Sequence, residues 1–187
     1  MKKAIMILMA MMMVLSVSAK DDRVSVISGD GKVLTESGKT ATLEFDYTNT
    51  VVEKGDKLMD YLKKRGEEFV KDWPEMAASA RNRFIEAFNK KNKKGVQVVT
   101  TDKADLKMKI VIEKLDLGSA AVSVVFGGRA GSAEITGKLI VSDNGGNKLA
   151  EYELFEIRGN GSYDFTEEKR LGTCYENVAK MIVKASK

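Results

Sequence analysis

Histidine is absent from the 187 residues, and cysteine and proline occur once each. Without histidine, Ser-His-Asp and Cys-His catalysis are excluded, and nearly all zinc enzymes with them. A single cysteine excludes an intramolecular disulfide and a thiolate metal cage. After the first twenty residues, no apolar run is long enough to span a membrane. A large charge of one sign is also missing: 31 Lys and Arg stand against 27 Asp and Glu.

What is present suits a folded domain. Hydrophobic residues make up 43% and charged residues 31%, which argues against disorder. Residues 1–19 read as a secretory signal peptide. Lys2 and Lys3 form the charged start, an apolar stretch runs from Ala4 to Val17, and Val17-Ser18-Ala19 offers small residues for cleavage. The apolar stretch is shorter than the roughly 20 residues of a membrane-spanning helix. No cysteine sits near the cut, so the chain does not read as a lipoprotein. Removing Lys2 and Lys3 leaves 29 basic residues against 27 acidic ones, a formal charge of +2. Nucleic-acid binding needs a more concentrated basic surface. A mature domain of this size buries roughly 70% of its unfolded surface, enough for a core without disulfides.

The expected organisation is a polar segment at 20–39 followed by a single α/β domain at 40–187. Val24 to Ser28 is a short strand candidate, and Gly29-Asp30-Gly31 a turn. Leu43, Phe45 and Tyr47 alternate with Thr42, Glu44 and Asp46, the period of a half-buried strand. Asp56 is positioned to cap a helix whose face is Leu58, Met59, Tyr61, Leu62, Phe69 and Val70, weakened by Gly66. Pro74 is expected to begin a second helix, carrying Trp73, Met76, Ala77, Ala80, Phe84 and Phe88. Lys90 to Lys94 and Gly95 would close it.

The second half reads mainly as strand. Val96 to Thr100 is a short one. Leu106, Met108, Ile110 and Ile112 alternate with polar residues, then Leu115 and Leu117 fall on the other parity. That slip predicts a bulge near Lys114. Ala133 to Val141 alternates again, Asp143 to Asn147 is a hairpin turn, and Leu149 to Arg158 is the return strand. Gly159 to Ser162 reads as a loop. Leu171, Cys174, Val178, Met181, Ile182 and Ala185 form one stripe of a closing helix. The order strand, helices, strands, helix predicts an α+β sandwich. Its sheet is mixed and mainly antiparallel, with helices packed on one face.

Candidate motifs carry little chemistry. Ser37-Gly38-Lys39-Thr40 lacks the earlier glycine of a phosphate-binding loop, having Val33 there, and a strand rather than a helix follows it. Gly127-Gly128-Arg129-Ala130-Gly131 does not match a dinucleotide fingerprint. Asp143 to Asn147 lacks the bidentate glutamate of a calcium loop. Glu44 and Asp46 share one strand face and could act as an acid–base pair, although alternation already explains them as a solvent face. Cys174 lies on an apolar stripe and reads as a buried inert thiol. Lys90 to Lys94 with Arg81 and Arg83 could bind an anion, but a solvated helix end is the commoner reason for such a cluster. Trp73 and its neighbouring phenylalanines read as core. No catalytic, cofactor-binding or metal-ligating set is singled out, and no cofactor is expected.

One stretch does resemble something known. From Asp105 to Glu151 the chain holds LDLGSAA, then VVFGGRAGSAEI, the strand GKLIVSD, a turn, and NKLAEYE. With EFDYTN and RNRFIEAFNKKNKKG before it, most of 40–185 resembles a family of Gram-negative envelope proteins of unknown function. The resemblance implies an α/β fold similar to the N-terminal domain of the TolB envelope protein. Many members are lipoproteins, and this chain departs from them in lacking the lipidation cysteine. The family implies no catalytic residues.

Three readings of function result. The first is a non-enzymatic periplasmic or secreted domain that binds another envelope protein, as an assembly or accessory factor, through an exposed strand edge. The second is a small-ligand or hydrolytic protein using Glu44, Asp46 or Asp72, which requires carboxylates converging in a concave site. The third is a subunit of a secretion or pore assembly, with Leu117 to Ala133 as an inserting hairpin. A spanning strand needs about 9–11 residues on each arm, and Ala120 to Phe126 barely reaches one.

Overall fold

The computed structural model describes residues 23–52, 55–101, 103–122, 130–159 and 165–187. The signal-peptide reading of 1–19 lies outside these residues. So do parts of the Gly127 to Gly131 and Gly159 to Ser162 segments and of the proposed hairpin.

The fold is α+β, with a mixed six-stranded sheet. The elements are β1 (Arg23–Gly29), a 3-10 turn (Gly31–Thr35), β2 (Thr40–Asp46), α1 (Leu58–Arg65) and α2 (Glu67–Lys91). They continue with β3 (Gln97–Val98), β4 (Leu106–Asp116), β5 (Glu134–Asp143), β6 (Lys148–Arg158) and α3 (Glu167–Ala185). The sheet order is β1-β6-β5-β4-β2-β3. Strands β1, β6, β5 and β4 are antiparallel to their neighbours along that row, while β2 pairs in parallel with both β4 and β3. A parallel β2–β4 pair needs a long crossover, and α1 with α2 supplies it.

Period-2 alternation decides which face of the sheet is buried. Leu106, Met108, Ile110 and Ile112 of β4 are buried, and so are Leu139 and Val141 of β5 and Tyr152 and Leu154 of β6. They meet Ala80, Phe84 and Phe88 of α2 and Leu171, Tyr175, Val178 and Ile182 of α3. Each such large side chain contributes roughly 1.5–3 kcal/mol on burial. The helices approach closely at Gly172, where a Cβ would lie 2.5 Å from Arg83 Cδ.

The opposite face carries interleaved charge. Lys109 bridges Glu44 at 3.3 Å and Asp46 at 2.9 Å, Arg23 reaches Glu153 at 3.3 Å, and Lys138 lies 3.8 Å from Glu113. The slip expected near Lys114 is present, since the β4–β5 register shifts between Ile112 and Lys114. The β5–β6 register shifts at the same level, between Ile135 and Gly137. Stacked bulges increase the local twist of a sheet. The hairpin at Asp143 to Asn147 also forms: Asp143 N–H donates to Asn147 O, and Gly146 has φ of +83°.

Three local expectations are corrected. The break between the crossover helices falls at Gly66, not at Pro74. Gly66 has φ of +139°, and α2 starts at Glu67 and runs through Pro74. A glycine at positive φ ends a helix more sharply than a proline on its exposed side, where water can take the freed carbonyl. Asp56 is not the cap of α1. That position is Lys57, and Asp56 instead binds Lys64 at 2.7 Å. Helix α2 ends at the Asn92 cap, three residues before Gly95, because the Asn92 side chain is held by Leu34 O at 2.8 Å and Val96 O at 3.0 Å. The polar segment 20–39 is joined to the sheet through β1, and its Val33 and Leu34 are buried.

Candidate functional site

The two edges of the sheet differ. Edge strand β1 is interrupted: Val26 faces Tyr152 and Ser28 faces Glu151, so Ile27 is the extra residue of a bulge. Ile27 is 55% exposed. A bulge twists an edge away from further pairing and protects it.

The β3 edge is protected only in part. β3 covers β2 at Thr40 and Ala41 and then ends. Gln97 N–H donates to Lys39 O at 3.0 Å and Val99 N–H donates to Ala41 O at 2.9 Å. Alternation therefore turns the main-chain groups of Leu43 and Phe45 to the same side, past the end of β3. No strand among the described residues pairs with them there. Their side chains are turned inward. Leu43 is buried, and Phe45 packs edge-on against Phe84 at 5.6 Å and against Tyr175 at 4.6 Å.

Helix α2 runs beside this bare edge and antiparallel to it. Asn89 lies at the Ala41 end, where its Nδ2 donates to Val98 O at 2.9 Å and its Oδ1 accepts from Val98 N–H at 2.8 Å. Trp73 lies at the other end, edge-on to Tyr47 at 5.3 Å. Between them, Ala77, Ala78 and Arg81 face Leu43, Glu44, Phe45 and Tyr47 across a groove of about 300 Å³. The alanines leave the width. Arg81 Nε is buried and has no hydrogen-bond partner among the described residues. The groove thus offers unpaired main chain on one wall, small apolar side chains on the other, and one unsatisfied cationic donor.

Among the described residues, three other depressions are larger but less open to a defined chemistry. One of about 390 Å³ is lined by Val51, Val52, Lys114 and Thr136 among others. One of about 320 Å³ adjoins Val122 and Ala130, at the limits of the described residues. The third, about 420 Å³, gathers Asp72, Glu75, Glu167 and Glu168 beside Phe69 and Met76. There, Glu167 pairs with Arg65 at 2.9 Å and Glu168 accepts from Ser79 Oγ at 2.8 Å.

The residues singled out in the sequence scatter. Glu44 and Asp46 share the open sheet face, but Lys109 lies between them. Hydrogen bonds from Thr48, then from Lys109, hold the Asp46 carboxyl well below the usual carboxylate range. A carboxylate so stabilised is a poor base. Asp72 lies elsewhere, in the acidic depression. Cys174 is buried, and its thiol donates to Ile157 O. Lys90, Lys91, Lys93 and Lys94 are exposed at the end of α2. Arg83 instead pairs with Glu176 of α3 at 3.4 Å. Lys39 of the Ser37–Thr40 segment pairs with Glu36 at 2.6 Å in the turn before β2. Trp73 and Phe84 are core, as their spacing indicates. Among the described residues no group of three or more His, Cys, Asp or Glu is placed to hold a metal ion. Among them, too, no helix is long and apolar enough to cross a membrane.

Sequence reasoning grouped Arg81 with a solvated helix end and so missed the groove. The available signal was Ala77-Ala78 followed by Arg81 on one side of α2. That pattern has meaning only once β2 is known to lie bare beside it.

No protein-family model and no curated protein matches the sequence. Among solved structures, the chain is similar to a PelC dodecamer from Paraburkholderia phytofirmans, with 11% identity and a TM-score of 0.45. That match covers 86% of this chain and 96% of the other. A point variant of the same dodecamer matches at 10% identity and a TM-score of 0.41, covering 86% and 97%. Likeness at this level bears on neither activity nor partner.

Proposed function

We propose that this chain is an exported, non-enzymatic protein-binding module of the cell envelope, which takes up an extended segment of its partner as a strand beside β2. The observation that carries this is the bare β2 edge at Leu43 and Phe45, set against the Ala77–Ala78 wall of α2. An added strand would satisfy those main-chain groups and give the ligand's alternate side chains a groove to enter. Export rests on the leader-like residues 1–19, and the envelope setting on the family resemblance.

The test pans a random heptapeptide library against the purified protein and maps the selected peptides by amide hydrogen exchange. The Leu43 and Phe45 amides exchange quickly in the free protein and become protected with peptide bound. Ala78→Trp, an exposed helix position, fills the groove and abolishes binding while the thermal midpoint stays within a few degrees. Ala78→Glu serves as a second block if the tryptophan variant folds poorly. Peptides that leave Leu43 and Phe45 unprotected, or a library that yields none, overturn the proposal. So does a self-association, seen by sedimentation, that Ala78→Trp dissolves, because the groove would then hold a second copy of this chain.

The carboxylate reading retains one observation, the convergence of Asp72, Glu75 and Glu168 in one depression. Asp72→Asn and Glu75→Gln should abolish any turnover found in a hydrolase substrate screen. Turnover that survives both removes this reading.

A further inference from the structure

We infer that the β2 groove is selective for a peptide bearing a carboxylate, either an acidic side chain or the peptide's own C-terminus, and that Arg81 is the residue that binds it. This rests on the strand-addition reading above.

The inference starts from the arginines. Six lie among the described residues. Arg23, Arg65, Arg83 and Arg158 each pair with a glutamate. Arg170 is buried and donates to the carbonyls of Leu117, Gly118 and Phe165. Arg81 alone has neither an acidic nor a carbonyl partner among the described residues, and its Nε is buried. A buried donor without an acceptor is costly, and a guanidinium is shaped to hold a carboxylate through two parallel hydrogen bonds. The acidic residue of the groove, Glu44, is already held by Lys109 on the open face of the sheet.

Register supports the same assignment. Asn89 marks the level of Ala41 through Val98, its strand partner. Arg81 lies eight residues earlier on the helix, about 12 Å at the helical rise. That is between three and four residues of strand at about 3.3 Å each. Arg81 is therefore level with Phe45, the far end of the bare edge. At the near end the protein closes its own edge with Asn89; at the far end it presents a cation and space. A strand running parallel to β2, as β3 does, would bring its C-terminus to Arg81. An antiparallel strand would need an acidic side chain near its start.

The test uses synthetic copies of the library-selected heptapeptides. Each is made in three forms: unaltered, with every Asp or Glu changed to Asn or Gln, and with an amidated C-terminus. One altered form should bind at least tenfold more weakly, and which one identifies the source of the carboxylate. Arg81→Gln should cause a similar loss, and Arg81→Lys should recover part of it. Arg81→Glu should prefer a peptide in which lysine replaces the acidic residue. If peptides protect Leu43 and Phe45 yet bind equally in all three forms, the carboxylate inference fails and strand addition stands. If no peptide protects those amides, both fail.

Discussion

The side-chain amide of Asn89 pairs with the main chain of Val98 in both directions, donating to its carbonyl at 2.9 Å and accepting from its N–H at 2.8 Å. A helix side chain thus stands where a neighbouring strand would. It closes the outer edge of β3 and stops short of β2. The bare edge at Leu43 and Phe45 is the stretch this device does not reach.

Asn89→Ala should leave both main-chain groups of Val98 without these partners in a part-buried position. Unsatisfied groups of that kind cost about 1–3 kcal/mol each. Urea unfolding should show a loss of that order, and the Val98 amide should exchange faster. An unchanged midpoint with slow Val98 exchange would mean that another group closes the edge.

Tyr47 and Tyr175 share a hydroxyl–hydroxyl hydrogen bond behind β2. Burial is the main reason both titrate above the ordinary tyrosine range. The folded state then holds these protons more tightly than the unfolded state. The resulting stability is fully present below the ordinary tyrosine pKa of about 10 and declines as pH rises above it. Wild type should lose stability more steeply than the Tyr47→Phe/Tyr175→Phe double variant between pH 9 and 11.5. Parallel urea midpoints across that range would refute the assignment.

Asp46 is shifted the other way, by Thr48 and then Lys109. Its contribution is present above the ordinary aspartate pKa of about 3.9 and is lost as pH falls toward the lowered folded value. Asp46→Asn should therefore differ from wild type at pH 6, and the gap should close in acid. The same variant should leave peptide binding at the groove intact, because its partner Lys109 is on the open face.

Gly137 lies where β4 and β5 come together at the stacked bulges. A Cβ there would lie 2.1 Å from Val111 O. Gly137→Ala should force the strands apart and cost about 1–3 kcal/mol, the usual range for overpacking. Unfolding midpoints measure it directly, and a neutral result would mean that the bulge absorbs a methyl group.

The resemblance to envelope proteins supplies the setting of the proposal rather than its site. The groove follows from placement alone. Of the residues considered functionally, Glu44 and Arg81 line it, but Glu44 is held by Lys109 on the open face, and in the sequence Arg81 reads with Arg83 and the lysines. On α2 those positions are close in sequence, yet Arg83 turns to Glu176 of α3 while Arg81 faces β2. Two residues along a helix is about 200° of rotation, which sends neighbours to different faces.

The sequence by itself determined the buried side of β2, β4, β5 and α3. Alternation in β4, its slip near Lys114, the Asp143–Asn147 hairpin and the stripe of α3 are local patterns, and burial follows period directly. It did not determine which elements would be neighbours. Gly66 rather than Pro74 breaks the crossover because backbone conformation, not composition, decides where a helix ends. The parallel pairing of β2 with β4, the two-residue length of β3 and the helix lying along the exposed remainder are decided by packing between segments distant in the chain. An edge is defined by the strand that is not there, and local sequence carries no record of it.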